Sequence, residues 1–153
     1  MSMAREIYQQ ILIDHGRHPR NFHELEAPCC SQTGHNRLCG DILRVHVRVE
    51  NEQVMACSFT GHGCAISMAS ASLLTEIVRG QTVETVSLLF ADFHAALVDG
   101  APFEITTPAH ERLAIFLGVA EYPARVKCAT LAWQTLMAIL HNHASQDVAV
   151  STE

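Results

Sequence analysis

The chain lacks a CxxC pair, although it carries six cysteines in 153 residues. That absence excludes local zinc-finger and thioredoxin patterns, whose sulfurs come in close pairs. Basic charge is scarce, with 10 Lys and Arg against 16 Asp and Glu, a net charge of −6. No nucleic-acid partner is expected, because such a partner needs a basic stripe. No apolar run approaches ~20 residues, so no membrane span and no membrane partner are expected. The opening MSMAREIYQQ lacks the basic-then-apolar order of a signal peptide, and a cytoplasmic location is expected. No internal repeat or low-complexity segment is found.

What is there reads as one ordinary globular domain, 48% hydrophobic and 17% charged. A chain of this length buries roughly 70% of its unfolded surface and needs no staples. In a reducing compartment three disulfides are not expected of its cysteines. Metal binding, catalysis and plain burial then compete for Cys29, Cys30, Cys39, Cys57, Cys64 and Cys128.

Residues 3–15 carry Ile7, Tyr8, Ile11 and Leu12 at helical spacing. Residues 21–38 read as loop, with a short strand around CCSQTGH. In ILRVHVRVE, residues 42–50, Leu43, Val45, Val47 and Val49 alternate with polar residues, which predicts a half-buried strand. Asn51 and Glu52 turn the chain, and QVMACSFTG returns as a second strand, with Cys57, Met55 and Phe59 on its core side. Helices are expected over 64–79, from Thr82 to near Gly100, over 109–121, and over 128–143, where Trp133 reads as packing. Strands first and helices after give an α+β fold. One domain is expected over 1–144, with 145–153 as a disordered tail.

Three cysteines stand at element boundaries. Cys39 and Asp41, in LCGDIL, share the parity of Leu43 and Val45, hence the core side of a strand start. Cys64 opens the first long helix, behind Gly61 and Gly63. A thiol there feels the positive end of the helix dipole, which favours the thiolate. Cys128 opens the last helix, behind Arg125 and Lys127, whose charges would help keep thiols ionised. If both helices bring their N-termini to one end of the sheet, three sulfurs and one carboxylate meet as a tetrahedral set suited to zinc. Each member also has a bland reading, as rim hydrophobe, solvated strand end or helix core, and spacing leaves that choice open.

The segments HPRNF, CGD, GHGCAISMASASLLTEIVRG and PARVKCATLAW resemble the U-type iron–sulfur assembly proteins, IscU and SufU, from about residue 5 to 143. The resemblance implies a small antiparallel sheet of about three strands with helices packed on one face. It implies ligation of a metal, or of a cluster, by Cys39, Asp41, Cys64 and Cys128. Arg125-Val126-Lys127-Cys128 is similar to the RxKC motif of SufU-type members, and Cys64 and Cys128, 64 positions apart, leave room for their insertion. The implied function is that of a zinc-dependent sulfur acceptor, a sulfurtransferase if enzymatic. It would take persulfide sulfur from a SufS-like cysteine desulfurase onto Cys39, with iron–sulfur scaffold proteins downstream; apart from the resemblance, Arg125 is read as an accessory that steers the site or the partner. The alternatives are a scaffold for a [2Fe–2S] cluster and, behind it, a structural zinc domain. The chain departs from the family pattern at Asn36-Arg37-Leu38, where Asn-Pro-x is common, and at His62, where an acidic residue is common. His62 and His35 are minor alternative ligands, and Cys29 and Cys30 a minor second site.

Overall fold

The computed structural model describes residues 3–26, 30–142 and 149–151. Helix α1 (Met3–Arg17) is followed by strands β1 (Cys30–Asn36), β2 (Asp41–Glu50) and β3 (Gln53–His62). Helices α2 (Ala65–Val78), α3 (Val83–Val98) and α4 (Pro108–Leu113) come next, then a 3₁₀ helix (Ala114–Glu121), α5 (Pro123–Asn142) and a short β4 (Ala149–Ser151). The sheet order is β3-β2-β1-β4, with β1, β2 and β3 antiparallel and β4 parallel to β1. The three antiparallel strands and the helices match the expected α+β architecture.

The alternation along β2 decides which face is covered. Leu43, Val45 and Val47 are buried, and α2 and α5 pack against that side of the sheet. Trp133 of α5 is fully buried between the α3 rings Phe90 and Phe93, so it is core. The Asn51–Glu52 turn holds both residues at positive φ, 52° and 60°. That handedness suits the twist of a two-residue hairpin.

Four expectations need correction. Met55 is 40% exposed, whereas Cys57 and Phe59 are buried. The register slips between Arg48 and Val49, so that Val49 pairs with Val54 and Arg48 with Ala56. Met55 is the extra residue of a bulge, and Val54 takes the core position before it. The predicted helix 109–121 divides into α4 and the 3₁₀ helix. The tighter winding lets Ala114, Ile115 and Phe116 all bury, and Gly118 weakens any longer α-helix.

The last helix begins at Pro123, not at Cys128. Pro123 ends the preceding segment, but its fixed φ also suits the first helical position. Residues 149–151 of the expected tail form β4, because β1 leaves an open edge that a short Val-containing segment can pair.

Candidate metal centre

Two glycines and a carboxylate shape the entry to α2. Gly61 has φ of +116°, and a Cβ there would lie 2.2 Å from the carbonyl oxygen of Ile42. A Cβ on Gly63 would lie 2.8 Å from Oδ1 of Asp41. Only glycine lets this backbone press against the start of β2. The result is that Cys64 caps α2 with extended backbone, and its N–H donates to Oδ1 of Asp41 at 2.8 Å.

Asp41 is the first residue of β2 and 1% exposed. A carboxylate this deep needs partners or a cation. Its Oδ2 accepts from the Ser67 hydroxyl at 2.6 Å and from Nδ2 of Asn36 at 3.4 Å. The Asn36 amide also donates to Sγ of Cys128 at 3.3 Å.

Cys128 is buried and lies in the second turn of α5, because that helix starts five residues earlier. Its thiol donates to Sγ of Cys39 at 3.2 Å. Burial pushes the Cys128 thiol well up, and its interactions with Cys39, Asp41 and Cys64 push the same way. A bound cation would reverse that balance, since a metal ion deprotonates a coordinating thiol.

One ligand atom each from Cys39, Asp41 and Cys128 lies within 4.8 Å of the others. Cys64 is not in that trio, but it adjoins it, with its N–H on Asp41 and its Sγ 3.5 Å from the Ser67 hydroxyl. Cys39 differs from the strand-start position expected for it. It sits exposed in the turn between β1 and β2, beside Leu38, which is 65% exposed. Soft thiolates with one carboxylate suit zinc, and thiolates also suit iron–sulfur clusters.

The remaining expected residues stand apart. Arg125 is exposed on the first turn of α5. Lys127 lines a cavity of about 340 Å³ with His94, Leu97 and Val98 of α3. Neither is hydrogen-bonded to a sulfur, so the expected electrostatic help to the thiols is not a direct contact. His35 and His62 both pair with Ile42, which is exposed where its neighbour Asp41 is buried. They therefore stand on the other face of the sheet. Cys57 is core, its thiol pushed up to about 12 by burial. Cys30 is half-buried on β1, and Cys29 lies outside the described residues.

Sequence reasoning missed Asn36 as a site residue and missed Ser67 altogether. Ser67 follows Cys64 by three residues, a spacing that puts both on one side of the first helical turn. That spacing was the only available signal.

The NifU-like N-terminal domain family matches residues 7–129. The zinc-dependent sulfurtransferase SufU of Bacillus subtilis is 35% identical over 133 residues, covering 85% of this chain and 86% of that protein. The iron–sulfur cluster assembly scaffold protein IscU of Streptococcus pyogenes is 32% identical over 139 residues, covering 89% and 84%. The solved structure of a protein described as an iron–sulfur cluster assembly scaffold for the SUF system, from Fervidobacterium islandicum, superposes with a TM-score of 0.77 at 28% identity, covering 90% of this chain and 98% of that one.

Proposed function

The chain belongs to the NifU-like N-terminal domain family, and on that premise we propose that it is a zinc-dependent sulfur acceptor in iron–sulfur cluster assembly. Its sulfur donor would be a cysteine desulfurase, and iron–sulfur scaffold proteins would act downstream. Zinc would be held by Cys39, Asp41, Cys64 and Cys128, where its charge would keep the thiols ionised.

The observation that carries this reading is an asymmetry among the four residues. Asp41 and Cys128 are buried and hydrogen-bonded, and Cys64 is tied to Asp41 through its backbone. Cys39 alone is exposed, at a turn. It is the residue that can meet a partner while the other three stay in place.

In the proposed step the Cys39 thiolate attacks the outer sulfur of a persulfide on the partner's cysteine. A new S–S bond forms at Cys39, and the partner's S–S bond breaks. The electron pair leaves with the partner's thiolate, so the exchange balances without an outside oxidant. Arg125, exposed on α5, is available to steer the partner.

The test is to purify the full chain without added metal and to measure zinc, iron and acid-labile sulfide with the visible spectrum. Near-stoichiometric zinc in a colourless solution, followed by persulfide on Cys39 when desulfurase and cysteine are added, is the expected result. Iron with matching sulfide and a brown chromophore would replace this reading with the [2Fe–2S] scaffold. Zinc with no response to desulfurase would leave a structural zinc domain.

A further inference from the structure

Two uncharged side chains touch three of the four ligands and do not touch the fourth. Oδ2 of Asp41 accepts from Ser67 at 2.6 Å and from Asn36 at 3.4 Å. A carboxylate oxygen offers two acceptor sites, so Oδ2 is fully engaged. Oδ1 accepts one bond, from the Cys64 N–H, and keeps one site open. Ser67 also lies 3.5 Å from Sγ of Cys64, and Asn36 3.3 Å from Sγ of Cys128. Both side chains are 0% exposed, and the Asn36 carbonyl oxygen has no hydrogen-bond partner among the described residues. The bonds this amide makes here therefore run through its N–H₂ end, to Asp41 and Cys128.

We propose that Ser67 and Asn36 are positioning residues of the metal site: together they restrict Asp41 to one ligating oxygen, Oδ1, Asn36 also holds Cys128, Cys64 is held through its backbone N–H on Asp41, and Cys39 alone is left without such support. The proposal rests on the zinc reading above and gives it a structural cause. With Oδ2 occupied, the site stays four-coordinate, because a bidentate carboxylate would add a fifth ligand. The Asn36 N–H withdraws charge from the Cys128 sulfur, as hydrogen bonds to ligands generally tune them. Cys39 has no such donor among the described residues, and its one contact of this kind is with Cys128. Its sulfur is therefore the freest to leave and to react.

The experiment uses Co²⁺ as a spectroscopic probe in the metal-free full chain, as wild type and as Ser67→Ala, Asn36→Ala and Ser58→Ala. Ser58 is the control, since its hydroxyl is buried with no partner among the described residues. Cobalt affinity should fall about 10–100-fold in Ser67→Ala, the usual effect of removing such an outer partner. The d–d absorption should weaken there, as Asp41 becomes free to bind through both oxygens. In Asn36→Ala the sulfur-to-cobalt charge-transfer band should shift. Ser58→Ala should match the wild type in both readouts.

Wild-type affinity and spectrum in Ser67→Ala would overturn the proposal. So would a loss of affinity that comes with an unchanged spectrum and a matching fall in metal-free melting temperature, which marks a merely structural role. If Asn36→Ala does not fold, Ser67→Ala decides the matter alone. A wild-type chain with no sulfur-to-cobalt band would overturn the zinc reading itself.

Discussion

The Asp41 carboxylate accepts the backbone N–H of Cys64 at 2.8 Å, across 23 residues of sequence. It does for α2 what a local capping side chain does for most helices, since Cys64 supplies no side-chain cap bond. The same carboxylate is one of the proposed ligands. Helix entry and metal site are thus built from one group.

Gly63→Ala should disturb both. The new methyl would stand 2.8 Å from Oδ1 of Asp41 and 3.1 Å from Cβ of Ser67. Overpacking of this kind costs about 1–3 kcal/mol. A lower melting temperature in chelator, and a zinc affinity reduced about 10-fold or more by displacement of Asp41, are the expected results. Competition with a chromophoric chelator measures the second.

Cys39→Ala should abolish persulfide transfer, and Cys57→Ala should leave it intact. Cys57 is buried in the core with its thiol pushed up to about 12, so it is neither reachable nor ionised near neutrality. Mass spectrometry after incubation with desulfurase and cysteine reads the modified residue directly. Equal loss in both variants would refute the role given to Cys39.

Stability should fall as pH drops through the acidic range. His15 is buried on α1, hydrogen-bonded through Nδ1 to the Ser72 hydroxyl at 2.7 Å. Burial, and next the nearby Arg20, hold its pKa below the ordinary 6.5, and burial does the same for His46. The unfolded chain therefore binds the proton more readily than the folded one. The neutral-His contribution is fully present above the ordinary value and declines below it, until the lowered folded-state pKa is passed. Melting of the metal-free chain between pH 8 and 5 checks this. His15→Gln should flatten part of the slope.

Glu52→Gly should stabilise the hairpin. Glu52 holds φ of 60° next to Asn51, a left-handed conformation that costs a residue with Cβ roughly 1–2 kcal/mol. Its backbone carbonyl, which accepts from Val83, is retained by glycine. After the entropy that glycine loses on folding, a net gain of roughly 0.5–1 kcal/mol remains. That corresponds to about 1–4 °C in melting temperature for a chain of this size.

Much of this was legible in the sequence where the signal is local. The alternation from Leu43 to Val49 identified β2 and its buried face, and Thr82 marked the start of α3, whose Thr85 N–H its side chain accepts. The three boundary cysteines and Asp41 stand out together by their places at element ends. What escaped notice depends on contacts between distant segments. The bulge at Met55 follows from where Val54 and Cys57 must pack, not from any turn residue. β1 shows in the sequence only as a short strand around CCSQTGH, because Ser31, Gln32, Thr33 and Gly34 carry no alternation of apolar groups, and nothing local marks it as an inner strand flanked by β2 and β4. Pro123 was visible as a helix breaker and less so as a helix start, which moved Cys128 one turn inward. Asn36 and Ser67 gain their meaning only once β1 and α2 converge on Asp41.

The turn that carries Cys39 has one more consequence, in chain topology. A metal held by Asp41, Cys64 and Cys128 cross-links β2, α2 and α5, closing long loops of the chain. Asp41 is only two residues beyond Cys39. If Cys39 swings away, Asp41 still holds that strand end, and every long loop remains closed. The freedom regained is that of one short turn, so the entropy of the long loops is not released and need not be recovered when Cys39 returns. Departure and return of the reactive sulfur can then proceed as a local motion, without loosening the core.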